Sequence, residues 1–415
     1  MRRVVITGLG AITPIGNNVK VYWQNLLKGI SGAEKITRFD PSKFKTQFAC
    51  EVKNYDPLVY FDKKEARKLD RFSQYGLIAA EEAIKDAKLE FSKLDTNRIG
   101  VIFSSGIGGF ETFEDEIVQY TQNNFRPRFN PFFITKIIPN GLSGAIAIKN
   151  GLRGINYTPV TACASSTQSI IHAFNYIKLG KVDIVITGGS EAPITEASIG
   201  GFTAMKAMST NNENYSIASK PFDKNRDGFV IGEGSGALVI ESLDSAIRRN
   251  ATIYAEITGG GESSDAYHIT GTHPEGLGAY LAMEGALKEA NILPEKIDYI
   301  NAHATSTGIG DLSEIKAIEK LFEHNPEKPQ INATKSMTGH LLGATGAIEA
   351  IATTLSVKTN MIPPTINTID IDENISKDFN LSLHKKSIKQ IEYALSNSFG
   401  FGGHCATIVF KKYNN

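Results

Sequence analysis

The segment Ile155–Ser166, INYTPVTACASS, places a cysteine between a β-branched run and a helical pattern, and it returns in altered form as Ile331–Gly343, INATKSMTGHLLG. Three further pairs of segments echo each other in the same order: Ile6–Gly16 with Ile257–Ala266, Ile99–Gly109 with Ile297–Gly310, and Asp227–Glu241 with Asn397–Phe410. A repeated order of this kind indicates an internal duplication. We therefore predict two related halves, residues 1–250 and 251–415.

Short β-branched runs alternate with helical patterns, which is typical of an α/β protein with buried strands. Apolar residues recur at helical spacing over Ser165–Leu179, and Gly180 follows as a stop signal. The predicted strands are Val4–Thr7, Ile99–Phe103, Val182–Thr187, Ala237–Glu241, Ile253–Ile257, Ile297–Ala302 and Ala406–Phe410.

Composition excludes several classes of protein. Of 415 residues, 41% are hydrophobic and 21% are charged, which describes a globular rather than a disordered chain. Lysine plus arginine equals aspartate plus glutamate at 44 each, so a globally basic nucleic-acid binder is excluded. No apolar run reaches the ~18 residues of a membrane helix. Three scattered cysteines without a CxxC pair favour a reducing compartment, so we expect a cytoplasmic protein.

A pseudo-twofold axis between the halves would bring equivalent loops together. These loops carry Cys163 in the first half, and His303, His340 and the turn Phe399–Gly403 in the second. Cys163 follows a predicted strand (155–160) and opens a helix, whose positive end should lower the pKa of the thiol. The alternative is that Cys163 is a small buried apolar residue and that the histidines are structural. We interpret Cys50 and Cys405 in that structural sense.

Glycine-rich strings occur at Gly8–Gly16 and Ser104–Gly109. They superficially resemble nucleotide-binding loops, but the first lacks the third glycine of a dinucleotide fingerprint. Neither has the Lys-Ser/Thr pair of a P-loop. We therefore reject a phosphate-binding function for both.

Four motifs together resemble the signatures of β-ketoacyl-[acyl-carrier-protein] synthases, most closely the elongating type II enzymes of bacterial fatty acid synthesis. They are TACASS around Cys163, NAHATST around His303, TKSMTGHLLGA around His340, and NSFGFGG at residues 397–403. The resemblance extends from the first strand through PFDKNRDGFVIGEGSGALVIE to the last strand. It implies an α/β, thiolase-like fold of two duplicated βαβαβαββ halves in a five-layer α-β-α-β-α sandwich, usually as a homodimer.

The resemblance also implies a reaction. Cys163 would take an acyl chain from acyl-carrier protein, and malonyl-carrier protein would then lose carbon dioxide and attack that chain. The product would be a 3-oxoacyl chain two carbons longer. His303 and His340 would donate hydrogen bonds to the malonyl thioester oxygen as negative charge develops there. No cofactor and no metal is implied.

Further roles are carried over from the matching positions. Lys335 and Glu349 match a polar pair behind the histidines, with Glu349 grouped among the substrate-binding residues; the alternative is a buried structural ion pair. Phe401 matches an aromatic gate, and its N–H, with that of Cys163, matches an oxyanion hole. The remaining substrate-binding positions are Ile107 in the acyl tunnel, Phe399, and Thr305 and Thr307 along the pantetheine arm.

An acidic carrier protein would need a basic docking surface. The run KKEARKLDR, read as one helix, would present Lys64, Arg67, Lys68 and Arg71 on a single face. Arg128 and Lys206 match other docking positions of the family. The alternative is a plain solvated helix face.

The match departs from the family pattern at Ala304, Ser166, His404 and Cys405, all close to the motifs. Chain length, unsaturation and a specialised polyketide or polyene pathway therefore stay open. Three other classes compete: a thiolase-fold enzyme acting on coenzyme A thioesters, a non-elongating chain-length partner subunit, and a cysteine peptidase. His340 argues against the first, Cys163 against the second, and the lack of a papain-like CGSCW string against the third.

Overall fold

The computed structural model of the chain describes residues 1–325 and 327–414. Its helices are α1 Val19–Lys28, α2 Lys63–Ala66, α3 Arg71–Asp86, α4 Phe110–Gln122, α5 Phe133–Ile137, α6 Asn140–Asn150, α7 Ser165–Lys178, α8 Glu196–Ala204, α9 Leu243–Arg248, α10 Leu277–Ala290, α11 Gly308–Leu321, α12 Lys335–Thr338 and α13 Thr345–Thr359. Its strands are β1 Val4–Ile12, β2 Glu34–Lys35, β3 Phe48–Ala49, β4 Ile99–Ser104, β5 Asn156–Tyr157, β6 Ile184–Glu191, β7 Gly234–Ser242, β8 Ala255–Ser264, β9 Tyr299–Asn301, β10 Gln330–Asn332, β11 Met361–Ile362, β12 Asn380–Leu381, β13 Ser387–Ile388, β14 Tyr393–Gly400 and β15 His404–Lys411.

The duplication is visible in the order of the strands. Outward from the centre of an 11-stranded sheet, the first half runs β1-β7-β6-β4-β5 and the second runs β8-β15-β14-β9-β10, followed by β12. In each half the first pairings are antiparallel and the outer pairings are parallel. The halves join where β1 pairs antiparallel with β8. The exact boundary at residue 250, in the connection between α9 and β8, stays a prediction.

Helices complete the layers. Central α7 and α13 pack against each other, and each contacts strands of both halves. Helices α3 and α6 pack on the strands of the first half, and α10 packs on those of the second with α11 beside it. Residues Thr345–Val357 of α13 are buried on every side, which is what a middle layer requires.

Glycines of the first strand in each half make room for the outer helices. A Cβ at Gly10 of β1 would lie 1.9 Å from the carbonyl oxygen of Ala79 in α3. At Gly261 of β8 the same distance, to Ala282 in α10, is also 1.9 Å. The echoed glycine strings therefore serve helix–strand contact, which explains why they resemble a nucleotide loop without being one.

Two predicted elements differ from the structure. The strand predicted over 155–160 is reduced to Asn156–Tyr157 at the edge of the sheet. The basic helix predicted over 63–71 is wrong: α2 ends at Ala66, and α3 starts anew at Arg71 behind its N-cap Asp70. In the described part of the chain, no helix has both the length and the apolarity needed to cross a bilayer.

Candidate active site

Cys163, His303 and His340 line one cavity of about 490 Å³, together with Phe399 and Phe401. Cys163 comes from the first half, and the other four come from loops and strand ends of the second. The loops that the duplication predicted to converge therefore meet at one place.

Cys163 lies in a tight turn, Ala162–Ala164, immediately before α7. Ala162 has φ of 50°, in the left-handed region that alanine seldom adopts, at a cost of roughly 1–3 kcal/mol. The segment around Gly400 lies directly on this turn, since a Cβ there would come within 2.9 Å of the Cys163 nitrogen. The N–H groups of Phe401 and of Cys163 are close enough to the sulfur to act on the pKa of the thiol, which both lower. Two amide donors thus lie next to the Cys163 sulfur.

Burial raises the pKa of the Cys163 thiol to about 12. The positive charge of Lys335 and the N–H of Phe401 act in the opposite direction, but less strongly. The lowered pKa that we predicted for Cys163 from the helix terminus is therefore wrong. A helix dipole is readable from the sequence, whereas the desolvation that outweighs it depends on the walls of the cavity.

His340 connects the thiol to α13. Its Nε2 lies 3.0 Å from Cys163 Sγ, and its Nδ1 lies 3.0 Å from Thr345 Oγ1. Burial, assisted by Lys335, holds the pKa of His340 well below its usual range, so the ring is neutral. In the tautomer protonated on Nδ1, the ring donates to Thr345 and leaves the Nε2 lone pair for the thiol proton.

His303 lies beside His340, with ring centroids 5.4 Å apart and planes at 87°. Burial, Lys335 and His340 together hold its pKa well below the usual range. Its buried Nδ1 has no hydrogen-bond partner within residues 1–325 and 327–414. Two neutral imidazoles in one cavity can donate hydrogen bonds to an oxygen without bringing a second charge.

The main chain at His303 is held by Glu314, a residue that the sequence analysis missed. Its two carboxylate oxygens accept the N–H groups of His303 at 2.9 Å and Ala304 at 2.8 Å. Asn397 Nδ2 donates to the same carboxylate at 3.0 Å. Asp311 and Glu314 are both buried, and their i, i+3 spacing on α11 was the available signal.

Lys335 and Glu349 form a buried pair behind the histidines, with Nζ and Oε1 2.7 Å apart. Burial raises the pKa of Glu349 to about 7, against the effect of Lys335. Glu349 does not belong with the substrate-binding residues, where we had placed it. It is fully buried and holds Lys335 rather than lining the cavity.

Residues 1–246 match the N-terminal domain of the β-ketoacyl synthase family, and residues 254–368 match its C-terminal domain. The chain belongs to the β-ketoacyl synthase family. A 3-oxoacyl-[acyl-carrier-protein] synthase 2 of Staphylococcus aureus (strain COL) is 50% identical over 412 residues, covering 99% of each chain.

Solved structures agree with this membership. The ishigamide ketosynthase/chain length factor is 33% identical with a TM-score of 0.93, and the coverage is 100% of both chains. A type II polyketide ketosynthase, solved with its acyl-carrier protein and bound to the hexaketide, is 33% identical with a TM-score of 0.92 and the same coverage. The predicted thiolase-like α/β fold is therefore confirmed.

In this member of the β-ketoacyl synthase family, one wall of the cavity is apolar. Ile107 lines it, with Phe202, Phe229 and Leu342. The Ile107 backbone is fixed by Glu191, another buried carboxylate that sequence reasoning missed. Glu191 accepts hydrogen bonds from Ser105 Oγ and from the N–H groups of residues 106, 107 and 343. Burial raises its pKa to about 7.

The polar mouth of the cavity carries Thr305 and Thr307, whose hydroxyl oxygens are 3.1 Å apart. Lys206 also lines the cavity and is exposed. Thus one predicted docking residue lies directly at the entrance.

The other predicted docking residues lie on the surface. Lys64, Arg67, Lys68 and Arg128 are exposed. Arg71 differs from them because its guanidinium donates two hydrogen bonds to Glu111, which leaves its charge paired within the chain.

The positions that depart from the family pattern surround the site. Ser166 Oγ accepts the Ala347 N–H at 2.9 Å and so links α7 to α13. Ala304 is buried, Cys405 lines the cavity, and His404 is half-buried at the start of β15. Across residues 1–325 and 327–414, no group of three or more His, Cys, Asp or Glu side chains is arranged to hold a metal ion.

Proposed function

We propose that the protein elongates acyl chains on acyl-carrier protein by decarboxylative condensation with malonyl-carrier protein, as in fatty acid synthesis. The observation that carries the proposal is the contact of Cys163 with His340, with His303 beside them in one cavity. The 50% identity to a 3-oxoacyl-[acyl-carrier-protein] synthase 2 supports it over nearly the whole chain.

In the first step the Cys163 sulfur attacks the thioester carbonyl of the acyl-carrier protein. His340 Nε2 takes the thiol proton as the sulfur–carbon bond forms, because the free thiol does not ionise at neutral pH. The N–H groups of Cys163 and Phe401 stabilise the oxyanion. The carrier thiolate leaves and receives that proton, so the step yields acyl-Cys163 and a free carrier thiol.

In the second step malonyl-carrier protein occupies the same cavity. Its terminal carbon–carbon bond breaks, carbon dioxide leaves, and the electron pair stays as an enolate. Both histidines are neutral and donate hydrogen bonds to the enolate oxygen. His340 does so from Nε2 in its second tautomer, in which Nδ1 accepts from the Thr345 hydroxyl.

The α-carbon then attacks the acyl carbonyl, the carbonyl carbon–sulfur bond breaks, and the Cys163 thiolate leaves. The thiolate takes up one proton from solvent, which is the proton that the overall reaction consumes. Lys335, held by Glu349, adds a fixed positive charge nearby.

The partner is acyl-carrier protein, reached through a basic surface. Lys64, Arg67 and Lys68 form one exposed cluster, and Lys206 marks the entrance. Such charges speed the encounter with an acidic partner. A ketosynthase of the same fold has been solved with its acyl-carrier protein.

A second copy of the chain completes the assembly that we propose. Helices α4 and α5 and the connection between them expose many large apolar side chains, more than single scattered residues would account for. These are Phe113, Ile117, Val118, Phe125, Phe129, Phe132 and Ile134. We infer a homodimer formed through this face, located in the cytoplasm, where the three unpaired cysteines would stay reduced.

The test is to incubate the protein with carrier-bound acyl chains of several lengths and to measure intact and peptide masses. We expect an acyl adduct on Cys163, which disappears on addition of malonyl-carrier protein as a chain two carbons longer forms. An adduct on another residue, or none, would overturn the proposal. Decarboxylation without elongation would instead indicate a chain-length partner, and products extended repeatedly by two carbons without reduction would indicate a polyketide ketosynthase.

A further inference from the structure

The segment Pro221–Gly232, PFDKNRDGFVIG, contains a buried arginine to which the reaction above gives no task. Arg226 exposes only 2% of its side chain. Its Nε donates to the carbonyl oxygen of Thr307 at 2.9 Å, and its Nη2 donates to that of Gly308 at 2.7 Å. A single planar guanidinium thus holds two consecutive carbonyls of the loop that lines the cavity mouth.

The opposite edge of the guanidinium is fixed as firmly. Nη1 donates to the carbonyl of Asp223 and to Asp372 Oδ2, both at 2.7 Å. Asp311 Oδ2 lies 3.5 Å from Nε. Since these carboxylates and carbonyls occupy the group, Arg226 is not free to contact substrate and can act only through the loop it holds.

That loop needs to be held. Ser306 has φ of 68°, in the left-handed region that serine rarely adopts. Its carbonyl accepts the Gly228 N–H at 3.1 Å, and its Oγ accepts the Lys220 N–H at 3.0 Å. Ser306 is therefore held both by the segment that supplies Arg226 and by Lys220, the residue just before that segment. Backbone strain of this kind persists only where the surroundings impose it.

The consequence of this arrangement falls on two hydroxyls. Thr305 and Thr307 flank Ser306, line the cavity, and lie 3.1 Å apart at their Oγ1 atoms. Farther along, the segment binds His340 as well: the Val230 carbonyl accepts the His340 N–H at 2.7 Å. One stretch of the first half thus sets the mouth of the cavity relative to its catalytic histidine.

We propose that Arg226 is a positioning residue that orients the Thr305 and Thr307 hydroxyls toward the amide groups of the carrier's pantetheine arm. This inference rests on the proposed function. A hydroxyl both donates and accepts, so a fixed pair can match the N–H and C=O of an amide. Without the guanidinium the loop would relax, and the arm would lose these contacts while Cys163 stayed unchanged.

The test compares Arg226→Lys and Arg226→Gln with the wild type. Lysine keeps a positive charge beside Asp311 and Asp372 but cannot bridge two carbonyls in one plane. We expect the KM for malonyl-carrier protein to rise about tenfold in both variants, as for two weakened hydrogen bonds, with kcat within about threefold. The rate of Cys163 alkylation by iodoacetamide, which has no arm, should not change.

The matched control is Arg249→Gln. Arg249 also pairs with a buried carboxylate, Glu241, and also donates to a main-chain carbonyl, that of Ala87, but it lies away from the cavity. We expect a wild-type KM in this variant. If the alkylation rate falls as much as the KM rises in both Arg226 variants, the substitutions disturb the whole site and the assignment is overturned. A wild-type KM in Arg226→Lys would overturn it as well.

A double-variant experiment tests the route through the hydroxyls. Thr307→Val should raise the KM in the wild-type background but change it by less than about twofold in Arg226→Lys, because the contact is already lost. Fully additive effects would contradict the inference while leaving the proposed reaction intact. If the wild-type protein itself forms no acyl-Cys163 and elongates nothing, the proposed function fails first and the role of Arg226 with it.

Discussion

His340 Nε2 lies 3.0 Å from Cys163 Sγ, although the two residues are contributed by different halves of the duplicated fold. Both groups are buried, and burial favours the neutral form of each. The resting pair is therefore a thiol and an imidazole rather than a thiolate and an imidazolium. Acyl transfer then begins with a proton shift inside the pair, at the moment when the substrate carbonyl arrives.

This neutral pair predicts an unusual pH dependence of alkylation. Because the folded-state pKa of Cys163 is raised to about 12, the thiolate fraction should keep increasing with pH well beyond the ordinary thiol range. The rate of Cys163 modification by iodoacetamide, followed by peptide mass spectrometry, should rise steadily from pH 7 to 10 without a plateau. A plateau starting near pH 7 would reveal a preformed thiolate and contradict this interpretation.

Replacing Cys163 by alanine separates the two steps of the reaction. Condensation should fall by at least ~10³-fold because the acyl acceptor is gone. Carbon dioxide release from malonyl-carrier protein should persist in part, since His303 and His340 stay in place. Elongation and carbon dioxide release can be measured side by side, and undiminished elongation in Cys163→Ala would remove the nucleophile assignment.

A larger side chain at Ile107 should shorten the accepted acyl chain. Ile107 lines the apolar wall, and its backbone cannot retreat easily because Glu191 binds the N–H groups of residues 106 and 107. For Ile107→Phe we expect kcat/KM to fall about 10–100-fold for long acyl chains and to change little for short ones. Ile107→Val is the control, and an equal fall at every chain length would argue against a tunnel at this position.

Charge reversal at Lys64, Arg67 and Lys68 should weaken carrier recognition. The triple substitution to glutamate should raise the KM for acyl-carrier protein about tenfold or more, and the difference should shrink at high salt. The KM for small thioester substrates, which have no carrier protein, should change little. The control for net charge is the triple variant Lys377→Glu, Lys385→Glu and Lys386→Glu, which also reverses three exposed charges. A comparable loss with small thioesters would point to misfolding rather than to docking.

Local patterns were sufficient for much of the fold. The echoed motifs predicted the duplication, and the repeated strand order has the same physical basis, since each half folds the same way. Asp62 and Asp70 each cap a separate helix. A second N-cap residue inside the basic segment therefore indicates the break, although helical spacing alone predicts one continuous helix. The edge strand at Asn156–Tyr157 is shorter than its β-branched surroundings suggest, because few partners are available at a sheet edge.

The site was predictable in its reactive side chains and not in what surrounds them. Cys163, His303 and His340 stand in motifs, whereas Glu191 and Glu314 look like ordinary acidic residues until folding surrounds them with N–H donors. The pKa of Cys163 was predicted in the wrong direction for the same reason. Carboxylate ligation and desolvation are properties of the assembled walls and leave little trace in local spacing.

The turn before α7 has a twin before α13, where Leu342, with φ of 45°, stands where Ala162 stands in the first half. At the position equivalent to Cys163 the twin has Gly343, and a Cβ there would lie 2.3 Å from the Gly106 nitrogen. No second nucleophile could be installed at this point without pushing the two halves apart. The two copies of the turn have thus diverged in role. The first carries the reactive Cys163, and the second carries a glycine that lets the first half pack directly against it.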